Sequence, residues 1–238
     1  MSEDLPPAGP IAPRRQLSEE VASYVRELII SGRLRSGEFI RQERIAAELS
    51  LSATPVREGL LSLKGDGFVS LLPRRGFVVA PLTGADVQDL FAAQALIAGE
   101  LVARAARQMD AAAVADLRAL HKKLRKAASA GDGDLVEQLN HEFHRTINRA
   151  ADSPRLAWML SIATKFVPRR FYATIPGWLK ASANDHATIL DALAAADAEA
   201  ARAAMVRHIE NAGELLAAHF DGAVVDGRKR ARARAARR

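Results

Sequence analysis

Three histidines in the second half of the chain are the residues best suited to do chemistry: His144, His186 and His208. Each lies beside apolar residues at helical spacing, and the three fall in separate helical segments. A neutral imidazole is the commonest protein ligand for transition metals, and three of them leave coordination positions open. The pattern favours a site for a divalent transition metal if the three side chains converge.

The neighbours of the histidines indicate which of them point inward. His186 is followed at helical spacing by Ile189, Leu190 and Leu193, which places it on the buried face of its helix. A single buried histidine is more often a core residue than a metal ligand, and this alternative stays open for each of the three. We expect the other histidines to face solvent: His121, His141 and His219.

A fourth ligand is available one helical turn before His144, where Asn140 and His141 are the candidates. At about 100° per residue, Asn140 lies on the apolar side of His144 and His141 on the solvent side. We therefore favour Asn140.

A second group of residues, in the first third of the chain, suits contact with DNA. In the run Ser52-Ala53-Thr54-Pro55-Val56-Arg57-Glu58-Gly59-Leu60, Thr54 and Pro55 are typical of a helix start, as a hydroxyl cap and a first-turn proline. Arg57 is then expected in the first turn. From there it can reach a guanine edge or a phosphate in the major groove.

A hairpin is predicted shortly after this helix. The β-prone runs 68–72 and 77–80 flank the turn Pro73-Arg74-Arg75-Gly76, in which Gly76 supplies the freedom that a tight turn needs. Helical patterns at 17–30 and 42–49 precede the run. The order of three helices and a hairpin predicts a winged helix-turn-helix.

The charge of the chain must be read by region. The net charge is +6, but residues 228–238 contain seven basic residues and no acidic one, so residues 1–227 carry 27 basic and 28 acidic side chains. Residues 17–83 have nine basic and eight acidic side chains. DNA contact therefore depends on where particular side chains point. The tail is expected to be disordered, and it either adds phosphate attraction or only solubilises the chain.

Composition indicates a soluble, mainly α protein with four regions. The 238 residues include no cysteine, which suits a reducing cytoplasm, and we find neither a signal peptide nor an apolar run long enough for a membrane helix. Thr83-x-x-Asp86 is typical of a capping box that opens a long helix. We predict a flexible arm (1–16), a winged helix domain (17–82), a helical effector-binding and dimerisation domain (83–222) and a basic disordered tail (223–238).

The helical domain is predicted to be an antiparallel bundle of six to seven helices. Bundles place ligands and metals between facing helices, so the histidines mark the sensing region. The predicted helices cover 85–108, 111–130, 134–150, 154–171, 176–195 and 198–220.

The motifs SGRLRSGEFI, RIAAELSLS, TPVREGL and RRGFVVAPLT resemble the N-terminal domain of GntR-type bacterial transcription regulators, specifically the FadR-like branch. The chain departs from the pattern at Ala53, where the family commonly has an arginine, and at Ser50, where a glycine is usual. The resemblance implies binding to duplex DNA. The predicted DNA-contacting residues are Arg41, Arg44, Ser52, Thr54, Arg57, Arg74, Arg75 and Gly76.

The segments around Asn140 to His144, His186 and His208 resemble the FCD effector domain of the same branch. This resemblance implies a metal bound by an aspartate and three histidines, with Asn140 at the aspartate position. It also implies a small organic acid as effector, held by an arginine on the first bundle helix. Gln94 stands at that arginine's position, and Ala98 at that of a nearby acid. Two arginines from another helix could supply a carboxylate clamp, or they form a solvated pair at a helix end: Arg169 and Arg170.

We therefore expect a homodimeric, cytoplasmic, metabolite-responsive repressor on a palindromic operator. A metal-dependent hydrolase or lyase with an accessory DNA-binding domain is the alternative, but no acidic residue of the H-E-x-x-H kind neighbours the histidines to act as a general base. A third class, an architectural DNA protein, would not need inward-facing histidines.

Overall fold

The computed structural model describes residues 13–164 and 178–235. The chain divides into two compact units, Met1–Pro81 and Leu82–Arg238, one residue from the boundary predicted at 82/83. The N-terminal unit contains α1 (Pro13–Ile30), β1 (Phe39–Ile40), α2 (Gln42–Leu49), α3 (Ala53–Gly65), β2 (Val69–Leu72) and β3 (Gly76–Val79). The C-terminal unit contains α4 (Gly84–Gln108), α5 (Ala111–Ser129), α6 (Gly133–Ala150), α7 (Pro154–Ala163), α8 (Trp178–Ala194) and α9 (Ala198–Ala235).

The N-terminal unit is a winged helix-turn-helix, as the sequence predicted. Buried aliphatic residues of α1, such as Val21 and Val25, pack with those of α3, such as Val56 and Leu60. The two helices approach closely at Gly59, where an added Cβ atom would lie 2.7 Å from the backbone oxygen of Ser18. Hydrophobic packing thus fixes α3, while its opposite face remains exposed.

Antiparallel β2 and β3 form the wing, with Leu72 opposite Gly76. The turn between them has Arg74 and Gly76 at positive φ, 61° and 92°, so Gly76 supplies the backbone freedom that was expected there. A third strand that the sequence did not reveal, β1, pairs with β3 and gives the sheet order β1-β3-β2.

The C-terminal unit is helical throughout its described part. Its first helix begins at the predicted capping box, because the Thr83 hydroxyl accepts a hydrogen bond from the Asp86 amide at 3.2 Å and the Asp86 carboxylate accepts one from the Thr83 amide at 2.7 Å. Helices α4 and α9 run against each other in opposite directions. Phe91 faces Gly213, and Gly99 faces Val206.

The core of this unit is aliphatic and draws on most of its helices. Leu101 and Val102 of α4, Ile147 of α6, Leu190 of α8 and Met205 of α9 are among its buried members. None of the described helices is long and apolar enough to cross a membrane.

Three predicted boundaries need correction or lie outside the described residues. Helix α1 begins at Pro13, inside the segment 1–16 that was predicted as a flexible arm. Helix α9 continues to Ala235, where a disordered tail was predicted from residue 223, because alanine and arginine are both strong helix formers. The helix predicted at 154–171 is described only to Ala163, and the rest of that prediction falls on residues outside the described ranges.

Candidate metal centre and nucleic-acid interface

The three histidines singled out in the sequence come together in the C-terminal unit. His144 lies on α6, His186 on α8 and His208 on α9. One ring nitrogen from each lies within 4.8 Å of the others. Three helices thus each contribute one imidazole to a single cluster, which we call the histidine cluster.

Apolar packing holds the cluster in place. Phe143 belongs to the buried stripe of α6, and its ring stacks on His186 with centroids 4.1 Å apart and an interplanar angle of 12°. His144 follows it in the sequence and stacks on His208 with centroids 5.2 Å apart. His186 is fully buried. The orientation of the His186 ring is therefore set by its stack on Phe143 in the hydrophobic core.

The charge state of the cluster suits metal binding. Burial, assisted by the nearby His208 and His141, lowers the pKa of His144 to about 3. Burial likewise places the pKa of His186 well below its usual value, with His208 next in importance. Both rings are neutral near pH 7, which is the form that ligates a metal ion.

The distances also fit one ion. Nε2 of His144 and Nε2 of His208 are 3.3 Å apart. Metal–nitrogen bonds of about 2.0–2.1 Å can join two nitrogens at that separation to one ion. Both ring nitrogens of His186 are buried and have no hydrogen-bond partner among the described residues. A polar group buried in this way costs free energy unless a ligand or water satisfies it.

The two candidates for a fourth ligand differ in their surroundings. Asn140 is half-buried, and its Oδ1 atom is buried without a hydrogen-bond partner among the described residues. His141 is exposed to solvent. These surroundings favour Asn140 over His141 as the candidate fourth ligand.

His121 of α5 contradicts the expectation that it faces solvent. It is buried, with its ring 5.5 Å from that of His186 and 6.1 Å from that of Phe143. The sequence contained a signal for this buried position, because His121 continues an apolar stripe at helical spacing that includes Val114, Leu117 and Leu124. Its Nδ1 atom has no partner among the described residues, and burial lowers its pKa, with smaller contributions from Arg125 and Arg118. The side chain of His219 lies outside the described residues.

Other buried polar atoms lie on the helices that carry the cluster. The Oγ atom of Ser182, one turn before His186, has no described hydrogen-bond partner. The same holds for Nε2 of Gln94 on α4, which is only 4% exposed. The pairing of Phe91 with Gly213 and of Gly99 with Val206 puts Gln94 level with the His208 region of α9. Arg169 and Arg170 lie outside the described residues.

The predicted DNA-contacting face differs in detail from the sequence interpretation. The N-cap of α3 is Ser52, so Thr54 is a helical residue and not the cap. Arg57 is consequently the fifth residue of the helix, at the start of its second turn and not in the first turn as predicted. The side chains of Ser52, Thr54 and Arg57 are exposed on one helix, whereas Pro55 is buried.

The remaining basic residues of this face are exposed, and two of them have intramolecular partners. Glu48 receives hydrogen bonds from Arg44 at 2.9 Å and from the Tyr24 hydroxyl at 2.8 Å. The Arg75 guanidinium lies 5.1 Å from the centre of the Phe39 ring, which ties the tip of the wing to β1. Arg41 and Arg74 are also exposed.

A winged helix-turn-helix with Arg57 exposed on α3, joined in one chain to a helical unit with a histidine cluster, is the arrangement of a DNA-binding regulator with a ligand-binding domain. Residues 17–79 match the family model "Bacterial regulatory proteins, gntR family", and residues 89–211 match "FCD domain". The chain belongs to the GntR family of transcription regulators with an FCD domain. The fold class and the family resemblance are thereby confirmed, and the enzyme alternative finds no support among these matches.

Relatives over most of the chain are transcription regulators. The chain is 31% identical over 219 residues to the "Probable D-xylose utilization operon transcriptional repressor" of Paenarthrobacter nicotinovorans, covering 89% of this chain and 95% of the relative. It is 28% identical to the "Glc operon transcriptional activator" of Escherichia coli, covering 68% and 71% of the two chains. Among solved structures, "E. coli McbR/YncC" has the same fold, with a TM-score of 0.65, 24% identity, and coverage of 86% and 98%.

Proposed function

We propose that this protein is a metabolite-responsive repressor whose helical domain holds a divalent transition metal beside the effector. The observation that carries the proposal is the convergence of one nitrogen each from His144, His186 and His208 within 4.8 Å. Asn140 would add a neutral oxygen ligand. When bound, the metal would supply a fixed positive charge that polarises or ligates the effector. Zinc, nickel and manganese are the candidate ions.

The effector is proposed to bind beside the metal. Nε2 of Gln94 is buried and has no hydrogen-bond partner among the described residues, which supports a hydrogen bond from α4 to this molecule. A carboxylate of a small organic acid could ligate the ion directly. The proposed partners of the carboxylate's negative charge are the guanidinium groups of Arg169 and Arg170. The name of the relative from Paenarthrobacter also keeps sugars and their derivatives among the compounds to test.

DNA binding is proposed to proceed through α3 in the major groove and the wing beside it. A single unit of this kind has a net charge of only about +1 over residues 17–83. Two units on inverted half-sites would provide the affinity that one lacks, so we propose a homodimer on a palindromic operator in the bacterial cytoplasm. The proposed contacts are Arg41, Arg44, Ser52, Thr54, Arg57, Arg74, Arg75 and Gly76.

Repression is proposed because the relatives with long matches include an operon repressor, although an activator also occurs among them. An effector can release DNA only if it binds the arrangement that does not fit the operator more tightly than the one that does. The metal would contribute to that difference by contacting the effector.

One experiment on the full chain tests the proposal. Purified protein is analysed for zinc, nickel and manganese, and its DNA target is selected from a randomised duplex library. We expect about one ion per chain and a palindromic motif bound by two chains. Negligible metal after supplementation would overturn the metal site, and a motif with a single half-site bound by one chain would overturn the dimeric operator.

A further inference from the structure

A carboxylate that the sequence interpretation did not use reaches the histidine cluster from outside. Asp185 directly precedes His186 on α8, and its side chain extends to α9. There its Oδ2 atom lies 3.4 Å from Nδ1 of His208 and accepts a hydrogen bond of 3.2 Å from the Asn211 amide. Asp185 is therefore held by two neighbouring turns of α9.

The two nitrogens of His208 face different partners. Nδ1 faces Asp185 at 3.4 Å, while Nε2 faces Nε2 of His144 at 3.3 Å. A neutral imidazole has one N–H group and one free lone pair. If Nδ1 carries the proton and donates it to the carboxylate, the lone pair of Nε2 points into the cluster.

The other two histidines have no such support among the described residues. Both nitrogens of His186 are buried without a hydrogen-bond partner among the described residues, and the polar contact of His144 is with Nε2 of His208. Among the three clustered histidines, His208 is thus the one whose ring nitrogen faces a carboxylate in the described part of the chain.

We infer that Asp185 is a positioning residue that fixes the tautomer and ring orientation of His208 for metal binding through Nε2. The inference rests on the proposed metal site. Metal-bound histidines commonly donate their second N–H group to a carboxylate, which orients the ring and makes the ligating nitrogen more basic. Asp185 suits this role because its Oδ2 atom is placed by two groups of α9, Nδ1 of His208 at 3.4 Å and the Asn211 amide at 3.2 Å.

The position of Asp185 also connects two ligands. It is covalently adjacent to His186 on α8 and hydrogen-bonded to the ring of His208 on α9. A displacement of α8 relative to α9 would therefore change the relation between two of the three imidazoles at once.

The test measures zinc affinity of the full-length protein by competition with a chromogenic chelator. Asp185→Ala removes the carboxylate, Asp185→Asn removes only its charge, and Asp191→Asn is the matched control on the same helix, since Asp191 is an exposed partner of Arg118. We expect affinity to fall about 10- to 100-fold in Asp185→Ala, less in Asp185→Asn, and not in the control. Circular dichroism verifies that the variants are folded. If Asp185→Ala does not fold, the comparison of Asp185→Asn with the wild-type protein carries the test.

A second readout separates positioning from general stability. In the metal-free protein, ¹⁵N NMR of the histidine rings should show His208 protonated on Nδ1, and Asp185→Ala should shift it toward protonation on Nε2. If the folded Asp185 variants bind zinc as tightly as the wild-type protein does, the inference is overturned and the proposed function still stands. A wild-type protein that binds no zinc, nickel or manganese would overturn both.

Discussion

The helical unit and the DNA-binding unit hold their functional side chains in opposite ways. His186 is fully buried and stacked against Phe143, whereas Arg57 extends from an exposed helical face. The His186 imidazole is therefore oriented by the core, while the Arg57 side chain projects into solvent. Burial fixes the geometry of the histidine cluster. The exposed face of α3 depends instead on its charges and on the position of the helix.

The largest expected effect is the loss of a ligand from the buried site. We expect zinc affinity to fall more than about 100-fold in each of three variants: His144→Ala, His186→Ala and His208→Ala. Each variant loses a coordination bond, whereas losing a residue that only hydrogen-bonds a ligand costs at most roughly 100-fold. His141→Ala is the control, since this histidine is exposed. Metal content and chelator competition measure the result. Equal loss in the control and in the three variants would mean that the cluster is not the site.

Acid should affect the buried site of the metal-free protein next most strongly. Burial lowers the pKa of His144 to about 3 and that of His186 below its usual value, while the unfolded chain has histidines near 6.5. Between these values the unfolded state binds more protons, so the free energy of unfolding should fall as the pH decreases below about 6.5. The slope approaches about 1.4 kcal/mol per pH unit for each histidine.

Urea unfolding of chelator-treated protein at several pH values measures this slope. His144→Gln and His186→Gln should each reduce it, because glutamine does not titrate. An unchanged slope in both variants would contradict the assignment of neutral, buried imidazoles.

The close approach of α1 and α3 at Gly59 fixes the position of the exposed face of α3, and Gly59→Ala should disrupt this approach. The new Cβ atom would meet the Ser18 oxygen at 2.7 Å and Val21 at 2.8 Å, so α3 must move away from α1. Overpacking of this kind costs about 1–3 kcal/mol. Gly65→Ala on the same helix meets nothing within 4 Å and should be neutral or stabilising. Thermal unfolding and operator affinity report both effects, and equal behaviour of the two variants would argue against the close approach.

The smallest expected effect concerns one exposed arginine. Arg57→Ala should weaken specific operator binding by about 1–3 kcal/mol if its guanidinium pairs with a guanine, with no change in folding. Lys64→Ala, near the end of the same helix, should weaken binding to all duplexes about equally if it contacts only phosphate. Footprinting on operator and unrelated DNA distinguishes the two. Unchanged operator affinity in Arg57→Ala would remove this residue from the interface.

The sequence predicted the architecture well where periodicity was strong. The inward orientation of His186 followed from Ile189, Leu190 and Leu193, and the structure buries all four side chains. His121 was wrongly expected on the surface, although its neighbours on α5 carried the same signal. The distances within the cluster could not be predicted, because they depend on how separate helices pack together.

Short-range features failed for different physical reasons. Strand β1 has only two residues, too few for a period-2 pattern to be recognised. The start of α3 was misplaced because Ser52 and Thr54 are both good capping residues, and only backbone geometry selects Ser52. The role of Asp185 was missed because a lone carboxylate beside a histidine says nothing about which helix it will face.

Because Phe143 stacks on His186, the imidazole ring loses its rotational freedom when the chain folds and not when an ion binds. A ring held flat at 4.1 Å has already given up its rotational freedom when the chain folds, so the arrival of an ion costs little further ordering. The domain is then expected to fold without metal, unlike a zinc finger, which needs its ion to fold. The free energy of binding is accordingly available to favour one arrangement of a folded domain over another.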